Sequence, residues 1–585
     1  MNRSSNEITI QEEKEAAQAV TVDDVAEAQC FEPSELEPRM NLQTILAFLA
    51  LASQYNAYVL TLLIPSTTLS YINAELGPNP NYTWITVSWT LCASFVISIS
   101  GRLSDIFGRR YFMITGACIS FIGTIVGATG KSINQMIASG VLFGLGSGFQ
   151  EMGYACCQEI VPNKYRMWAI GVFDFLGIIS QLGPLVAYSF IAKTSIGWRG
   201  AYWYMCAFHG FFAIVMAFTY FPPTFHTKHK NDGKTKIQLI KEIDYVGLFL
   251  FVAGCVLFLL GINYGGRQYP WSSGHVIGPI VVGALCLISL GFWEVYADLP
   301  QPIMPPRLFK KWREVTMIYV VCFVGGMLYY SMNVLWPRQS QLLYTGPDPI
   351  VKGLYAEIIP LGSVTSGLLL VFVCSRIGYE RWQLVFFMCA ETALIGSLST
   401  LGLGDHAQAL ATLVFLSISV SAPQLMSFAI ISLGLGDEYK DDIGCAVGLA
   451  GTFRLLGGSV ATAIYTAIVN NTFSSSLPGE IERAAPDFSN MTALLKAAAL
   501  NTAAAYKAVP GITAEITAAA QVAVKLAYIQ AFKMTYLSAL GFGGAAIVAA
   551  FFTKSTDTGM KNNKRIVRLE NEKDKSEEDL KVANA

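Results

Sequence analysis

Charge is scarce in this sequence. Only 14% of its 585 residues are charged, whereas 53% are apolar, and the mean hydropathy is +0.45. Soluble domains carry about a quarter charged residues. This composition therefore excludes an ordinary soluble protein.

Cysteine motifs and nucleotide-binding loops are also missing. The twelve cysteines include no CxxC pair, which argues against a zinc site or a disulfide framework. The segment Gly127–Ser132 (GATGKS) resembles a P-loop, but Ile125 stands where that motif requires its first glycine. We therefore exclude a transporter powered by ATP hydrolysis. The sequence also shows no nucleophile–base pair, metal cluster or cofactor loop that would indicate an enzyme.

Long apolar runs make up most of the rest of the chain. A helix needs about 20 mainly apolar residues to cross the roughly 30 Å of membrane hydrocarbon. Hydropathy predicts an all-α polytopic membrane protein with fourteen spans, at 42–72, 83–101, 111–130, 133–160, 168–192, 201–221, 244–264, 276–297, 315–335, 352–374, 383–403, 408–434, 444–470 and 526–553.

The spans group as six, two and six, which predicts two bundles with a helical hairpin between them and a substrate site near the membrane midplane. We expect a disordered cytoplasmic N-terminal tail, an N-terminal six-helix bundle, a basic cytoplasmic loop with two extra helices, a C-terminal six-helix bundle with a long extracellular loop, and a cytoplasmic tail. Their ranges are 1–41, 42–221, 222–314, 315–553 (with the loop at 471–525) and 554–585.

Lysine and arginine are concentrated in the short loops on one side of this topology, which places both tails in the cytoplasm. Glycosylation sequons begin at Asn81, Asn470 and Asn490, all on the opposite side. Because Asn81 and Asn470 lie close to the bilayer, we predict glycosylation at Asn490.

A polar stretch, GRLSDIFGRR, separates the second and third spans at 101–110. Plain positive-inside anchoring would explain its arginines, but not its spaced glycines and its aspartate. The stretch resembles the signature loop of major facilitator transporters, and we predict that it forms a cytoplasmic gate built from Gly101, Asp105, Gly108, Arg109 and Arg110. A weaker echo, SRIGYERW at 375–382, suggests internal duplication.

Proton coupling requires a carboxylate within the spans, where acidic groups are costly and therefore functional candidates. The candidates are Glu151, Asp174, Glu357 and Glu391, with Glu151 preferred because it lies in mid-span. Alternatively, Asp174 pairs only with Lys164 or Arg166, and Glu357 and Glu391 are helix-end groups in headgroup water. Arg454 is a buried cation that either packs structurally or neutralises an acidic partner or a substrate.

Taken together, the chain resembles the fourteen-span drug:proton antiporter branch of the major facilitator superfamily, and within it the fungal trichothecene efflux pump family. The resemblance covers about residues 40–555 and is carried by GRLSDIFGRR, QEIVPNKYR, WRGAYWYM, IDYVGLFLF, YPW and FRLLGG.

The resemblance implies that Gly177, Gly183 and Pro184 belong to the antiporter motif of the fifth span, where bending seals the bundle against leak. Ala187 and Tyr188 occupy positions where glycines are expected. Two coupling positions also depart from the family pattern, which is why Glu151 is proposed instead. Asn56 replaces the acidic residue of the first span, and Gly140 replaces the arginine of the fourth.

The sequence and the resemblance therefore predict a monomeric, proton-coupled exporter that works by alternating access. Its substrates would be small amphipathic or apolar toxic compounds, either a mycotoxin such as a trichothecene or drugs. We expect it to be surrounded by lipid in the plasma membrane or, alternatively, in a vacuolar or vesicle membrane. We expect no cofactor, no metal and no nucleic-acid partner. The alternatives are a proton-coupled importer of iron–siderophore complexes and, in a different class, a non-transporting nutrient sensor with the same fold.

Overall fold

The computed structural model describes residues 42–556, except 78, 223–234, 267, 298, 301, 347, 436–438, 440–441 and 487. Both predicted tails, apart from 554–556, and most of the predicted basic loop fall outside this range. The described residues form helices and turns, with one isolated bridge between Gly265 and Tyr269. The all-α prediction is thus confirmed for this part of the chain.

The described residues of the N-terminal half, from 42 on, form nine helices. They are α1 (Leu42–Leu76), α2 (Trp84–Phe107), α3 (Arg109–Ala128), α4 (Ile133–Gln150), α5 (Gly153–Ile160), α6 (Arg166–Phe175), α7 (Ile178–Gln181), α8 (Gly183–Lys193) and α9 (Trp198–Thr219). Short 3₁₀ turns span Pro80–Thr83 and Asn163–Tyr165.

The hairpin follows, and then the C-terminal half. The hairpin region holds α10 (Lys236–Lys241), α11 (Tyr245–Tyr264) and α12 (Gly274–Tyr296). The C-terminal half holds α13 (Pro306–Lys310), α14 (Met317–Leu343), α15 (Pro349–Ala356), α16 (Ile358–Leu369), α17 (Ser375–Ile377), α18 (Glu380–Leu398), α19 (His406–Gly434), α20 (Ile443–Ala484), α21 (Met491–Leu500), α22 (Ala503–Lys507) and α23 (Ala514–Phe552). A stretch of π-helix at Trp312–Thr316 leads into α14, and another at Leu370–Cys374 follows α16.

Eleven helical segments within the described residues are long and apolar enough to cross a membrane. The other three predicted spans coincide with α2, α4 with α5, and α18, so the number fourteen stays a prediction. The predicted loop 471–525 is mostly helical instead. Helix α20 runs on to Ala484 and α23 begins at Ala514, because the polar, alanine-rich sequence there lowers hydropathy without breaking a helix.

The two halves meet through a reciprocal pair of contacts. Helix α2, in the second span of the N-terminal half, packs on α20, in the fifth span of the C-terminal half. Conversely, α6 and α8 of the fifth N-terminal span pack on α16 and α15 of the second C-terminal span. The hairpin helix α11 rests on both α2 and α20. This arrangement fits the internal duplication inferred from the sequence.

Three of the spans are interrupted inside the protein. The fourth breaks at Glu151–Met152 between α4 and α5, the fifth near Gly177 and at Leu182, and the tenth at Glu357. Irregular backbone at membrane depth is tolerated where it is buried in protein or lines a cavity. Candidate carboxylates stand at or beside all three breaks, and each lies at the boundary between the halves.

Candidate functional site

An ion pair joins the two halves. Nη2 of Arg454, on α20, donates to Oε1 of Glu151, at the end of α4. Both side chains are only 3% exposed. The Arg454 guanidinium also lies over two rings, 5.2 Å from the centroid of Phe428 and 5.8 Å from that of Tyr330. Glu151 is thus the one candidate carboxylate ion-paired to the opposite half in the described structure.

Glycines bring the backbones carrying this pair close to their neighbours. A methyl group on Gly144 would lie 2.5 Å from the carbonyl oxygen of Trp89, so α4 packs directly on α2. On α20, a methyl group on Gly457 would lie 1.9 Å from the carbonyl oxygen of Phe323 on α14. The small residues therefore fix the positions of Glu151 and Arg454 through close helix packing.

Phenol groups surround the pair at the centre of the protein. The hydroxyl groups of Tyr58 and Tyr330 are 2.9 Å apart and join α1 to α14. The rings of Tyr55 and Tyr154 are 4.5 Å apart, edge to face. The Tyr154 hydroxyl donates to Oδ1 of Asp174 at 3.4 Å. The centre is therefore aromatic, with hydroxyl and carboxylate groups as its polar points.

The alternative pairing considered for Asp174 is wrong. Arg166 donates instead to two backbone carbonyls, that of Gln158 at 3.0 Å and that of Ser432 at 3.1 Å. Lys164 lies 5.5 Å from the ring centroid of Tyr165. Because Ser432 belongs to α19, the Arg166 contact is a second tie between the halves.

The predicted gate sequence forms the turn between α2 and α3. Gly108 has φ +94°, a conformation that only glycine adopts easily. Gly101 meets the C-terminal half, since a methyl group there would lie 3.5 Å from the carbonyl oxygen of Gly444. Arg109 forms an ion pair with Glu159 of α5, and a methyl group on Gly444 would lie 3.2 Å from its Nη2. At this end of the protein, called the gate end after the prediction for 101–110, the two halves thus pack backbone to backbone beside this ion pair.

Arg110 and Asp105 are the other two charged residues of the predicted gate. Arg110 donates to the carbonyl oxygen of Ala217 at the end of α9, and its guanidinium lies 4.1 Å from the centroid of Phe221. It therefore caps a helix of its own half, where cations are favourable, instead of reaching the opposite half. The side chain of Asp105 lies outside the described part of the structure.

A separate set of contacts joins the two halves at the opposite end. Oε2 of Glu357 accepts a hydrogen bond from the backbone N–H of Leu185 at 3.3 Å. Nε2 of Gln341 donates to the Tyr188 hydroxyl at 2.8 Å, and the Tyr188 ring packs on Gly353. The bulky Tyr188, which departs from the family pattern, is thus accommodated by a glycine and a glutamine of the C-terminal half.

The antiporter-motif residues lie where the fifth span is broken. Gly177 precedes α7, and Gly183 and Pro184 begin α8. Asn56 bridges this region, since its Nδ2 donates to the carbonyl of Leu176 at 3.2 Å and its Oδ1 accepts from Ser180 at 2.7 Å.

Gly140, where the resemblance predicts an arginine, is closely packed. A methyl group on Gly140 would lie 2.3 Å from the carbonyl oxygen of Ile85. No longer side chain fits between α2 and α4 there. The chain therefore carries neither usual coupling group at these positions.

Two predicted site residues, Glu391 and Asn490, lie apart from the interface between the halves. Glu391 is fully buried within α18, and both of its carboxylate oxygens lack a hydrogen-bond partner among the described residues. The headgroup-water interpretation is wrong for both Glu391 and Glu357, because each is buried in protein. Asn490 is exposed and donates to the carbonyl of Pro510 at 3.3 Å. Its glycosylation stays a prediction.

The contacts between the halves thus occur at three levels. At the gate end they are Gly101–Gly444 and Arg166–Ser432, and at the centre they are Glu151–Arg454 and Tyr58–Tyr330. At the far end they are Glu357–Leu185 and Gln341–Tyr188. The halves are therefore in contact at both ends of the protein as well as at its centre. Three features of the site were not predicted from the sequence. One is the role of Glu159, which lies in the QEIVPNKYR segment. The other two are the Tyr58–Tyr330 and Gln341–Tyr188 hydrogen bonds. Aromatic residues are too common in membrane spans to single these tyrosines out.

The chain is similar to fungal transporters along almost its whole length. The family model described as "Fungal trichothecene efflux pump (TRI12)" matches residues 16–581. A relative named MFS-type transporter prx5, from Penicillium rubens, is 29% identical over 91% of this chain and 95% of its own. Trichothecene efflux pump TRI12 of Fusarium sporotrichioides is 25% identical over 88% of this chain and 86% of its own. Among solved structures, the human organic anion transporter MFSD10 (TETRAN) superposes with a TM-score of 0.48 at 13% identity, covering 85% of this chain and 98% of its own.

Proposed function

The chain belongs to the fungal trichothecene efflux pump family of MFS-type transporters, and from this premise we propose that it exports amphipathic or apolar toxic compounds, such as a trichothecene, in exchange for protons. The single observation that carries the proposal is the buried pair formed by Glu151 and Arg454. A carboxylate that ties one half to the other links the binding of a proton to the movement of the halves. The plasma membrane is the location at which such export would remove a toxic compound from the cell.

The coupling follows from the cost of unpaired buried charge. While Glu151 is ionised, its carboxylate neutralises Arg454 and holds α4 against α20. When Glu151 takes up a proton, the attraction is lost and the guanidinium is left uncompensated, at a cost of about 3–5 kcal/mol for a buried pair. The protein lowers this cost by separating the halves and hydrating Arg454, or by placing a polar group of the substrate beside it.

The central residues favour a particular kind of substrate. Phenol and indole rings provide apolar surface with a hydrogen-bonding edge, and Tyr55, Tyr58, Trp89, Tyr154, Tyr329 and Tyr330 lie on helices around the ion pair. Such a surface suits rigid apolar compounds that carry a few hydroxyl, epoxide or carbonyl groups. A highly charged compound would find few partners there.

The test uses purified protein in sealed liposomes. We expect accumulation of a trichothecene only when a pH difference is imposed, and accompanying proton movement recorded by a trapped pH-sensitive dye. Glu151→Gln removes the titrating group but keeps the size of the side chain and one oxygen that can accept from Arg454. We expect it to abolish pH-driven accumulation while substrate exchange at equal pH continues.

Glu391→Gln is the matched control, since it removes the titratable proton of another buried carboxyl group that makes no contact with Arg454. Accumulation that ignores the pH difference in the wild-type protein would overturn the proposal. Unchanged accumulation by the Glu151→Gln variant would remove Glu151 from it.

A further inference from the structure

A small cavity lies between the central ion pair and the gate end. It has a volume of about 20 Å³, and Glu151, Tyr154, Gly101, Gly444, Gly448 and Gly451 are among its lining residues. A single water molecule needs at least about 10–15 Å³ and two or more polar neighbours. The cavity is therefore large enough for about one water, directly beside the Glu151 carboxyl group.

Glu151 lines this cavity, and one of its two carboxyl oxygens makes no hydrogen bond to the described residues. Oε1 of Glu151 accepts from Arg454, whereas Oε2 is buried and has no hydrogen-bond partner among the described residues. Burying an unsatisfied carboxylate oxygen is costly. A water bound at Oε2 would remove this cost.

Glycines line the space between the Glu151–Arg454 and Arg109–Glu159 ion pairs, so that no side chain fills it. Gly444, Gly448 and Gly451 recur on one face of α20, opposite Ile97 and Gly101 of α2. At one end, a methyl group on Gly451 would lie 3.2 Å from Oε1 of Glu151. At the other, Gly444 borders Arg109 and Glu159. Any larger side chain along this face would occupy the space.

The charged and titratable groups near the cavity and around Glu151 come from five elements. Glu151, Tyr154 and Glu159 belong to the α4–α5 segment, Arg454 to α20, and Arg109 to the start of α3. Tyr58 of α1 and Tyr330 of α14 face the ion pair and are hydrogen-bonded to each other. Tyr154 is already bonded to Asp174, and Glu159 to Arg109. Glu151 is consequently the group placed to exchange a proton with water in the cavity.

We propose that this cavity is a water-binding site through which Glu151 exchanges its proton with the Arg109–Glu159 end of the protein. The inference rests on the proposed function, because it describes the route of the proton to the same carboxyl group. In the release step, the O–H bond of protonated Glu151 breaks and the water takes the proton. The carboxylate left behind pairs with Arg454, and the hydronium passes its proton to water at the gate.

The test fills the cavity without disturbing the ion pair. A methyl group on Gly448 would lie 3.6 Å from its nearest neighbour, the carbonyl oxygen of Ile97, so Gly448→Ala fits without a clash. We expect this variant to slow pH-driven transport about tenfold, equivalent to about 1.4 kcal/mol in the barrier. Substrate exchange at equal pH should keep its wild-type rate, and the ratio of transport rates in H₂O and D₂O should increase.

Two further variants make the result specific. Gly479→Ala changes the same helix where a methyl group meets no neighbour within 4 Å, and it should transport like wild type. Gly448→Ser places a hydroxyl group, which can pass a proton, in the cavity, and should recover much of the rate lost in Gly448→Ala.

The outcomes separate the two proposals. Wild-type transport without proton coupling would overturn the proposed function itself. Normal coupling in the wild type together with an unimpaired Gly448→Ala variant would overturn only the water site. Equal slowing of exchange and pH-driven transport in both Gly448 variants would also overturn it, since that result indicates a packing role for this glycine.

Discussion

The hydroxyl groups of Tyr58 and Tyr330 lie 2.9 Å apart, one from the first span of each half of the protein. Both rings are buried, and Tyr330 also lies under the Arg454 guanidinium. This hydrogen bond therefore spans the centre of the molecule, next to the ion pair that we propose to couple proton and substrate. The proton-coupled export that we propose requires such contacts to form and break in each cycle.

Tyr58→Phe, Tyr330→Phe and the double variant test the energy of this contact. Each single change leaves one buried hydroxyl without this partner, which costs about 1–3 kcal/mol, whereas the double change removes both groups. We therefore expect the double variant to be no less stable than either single one. Thermal unfolding in detergent measures this, and strictly additive destabilisation would show that the two hydroxyls do not interact.

Arg454→Met should be among the most destabilising single substitutions at the interface. It leaves the Glu151 carboxylate buried without its cation, at a cost of about 3–5 kcal/mol. Adding Glu151→Leu should restore most of the lost stability, because two apolar groups then replace the pair. The double variant should nevertheless show no pH-driven transport. Thermal midpoints and liposome flux measured on the same samples check both parts.

Glu357→Leu should loosen the end of the protein opposite the gate. It removes the acceptor of the Leu185 N–H, whereas Glu357→Gln keeps a carbonyl oxygen there. A hydrogen bond of this kind contributes about 0.5–1.5 kcal/mol. We expect amide hydrogen exchange at the start of α8 to become up to about tenfold faster in the leucine variant, and to change less in the glutamine variant. Equal exchange in all three proteins would contradict a closing role for Glu357.

Gly108→Ala should destabilise the gate turn by about 1–3 kcal/mol, because φ +94° is strained for a residue with a Cβ atom. The matched control is Gly541→Ala in α23, where a methyl group meets no neighbour within 4 Å and alanine favours the helix. A lower thermal midpoint for the first variant only would support the turn geometry. The same midpoint for both would not.

Individual residues of the site could be found from the sequence because charge and irregularity are conspicuous in apolar helices. Glu151 and Arg454 both stood out in this way. Their pairing could not be found, since about 300 residues separate them and either had other possible partners. The contact depends on how the halves dock, which is set by packing between α2 and α20 and not by any local pattern.

Departures from the family pattern were visible in the sequence, but their meaning was not. Tyr188 looked like a loss of a motif glycine, yet it supplies a hydrogen bond and a packing surface to the other half. Asn56 looked like the loss of a carboxylate, yet its amide bridges a broken helix. In both cases the partner residue lies on a different helix, and nothing in the local sequence identifies it.

The length of α20 has a mechanical consequence. Its 42 residues span about 63 Å at 1.5 Å per residue, roughly twice the hydrocarbon thickness. Some 30 residues separate Arg454 from the helix end at Ala484, a lever of about 45 Å. A slight tilt of the C-terminal half would therefore move the helix end at Ala484 much further than it moves Arg454. A fluorophore attached at that end would register each turnover as a displacement.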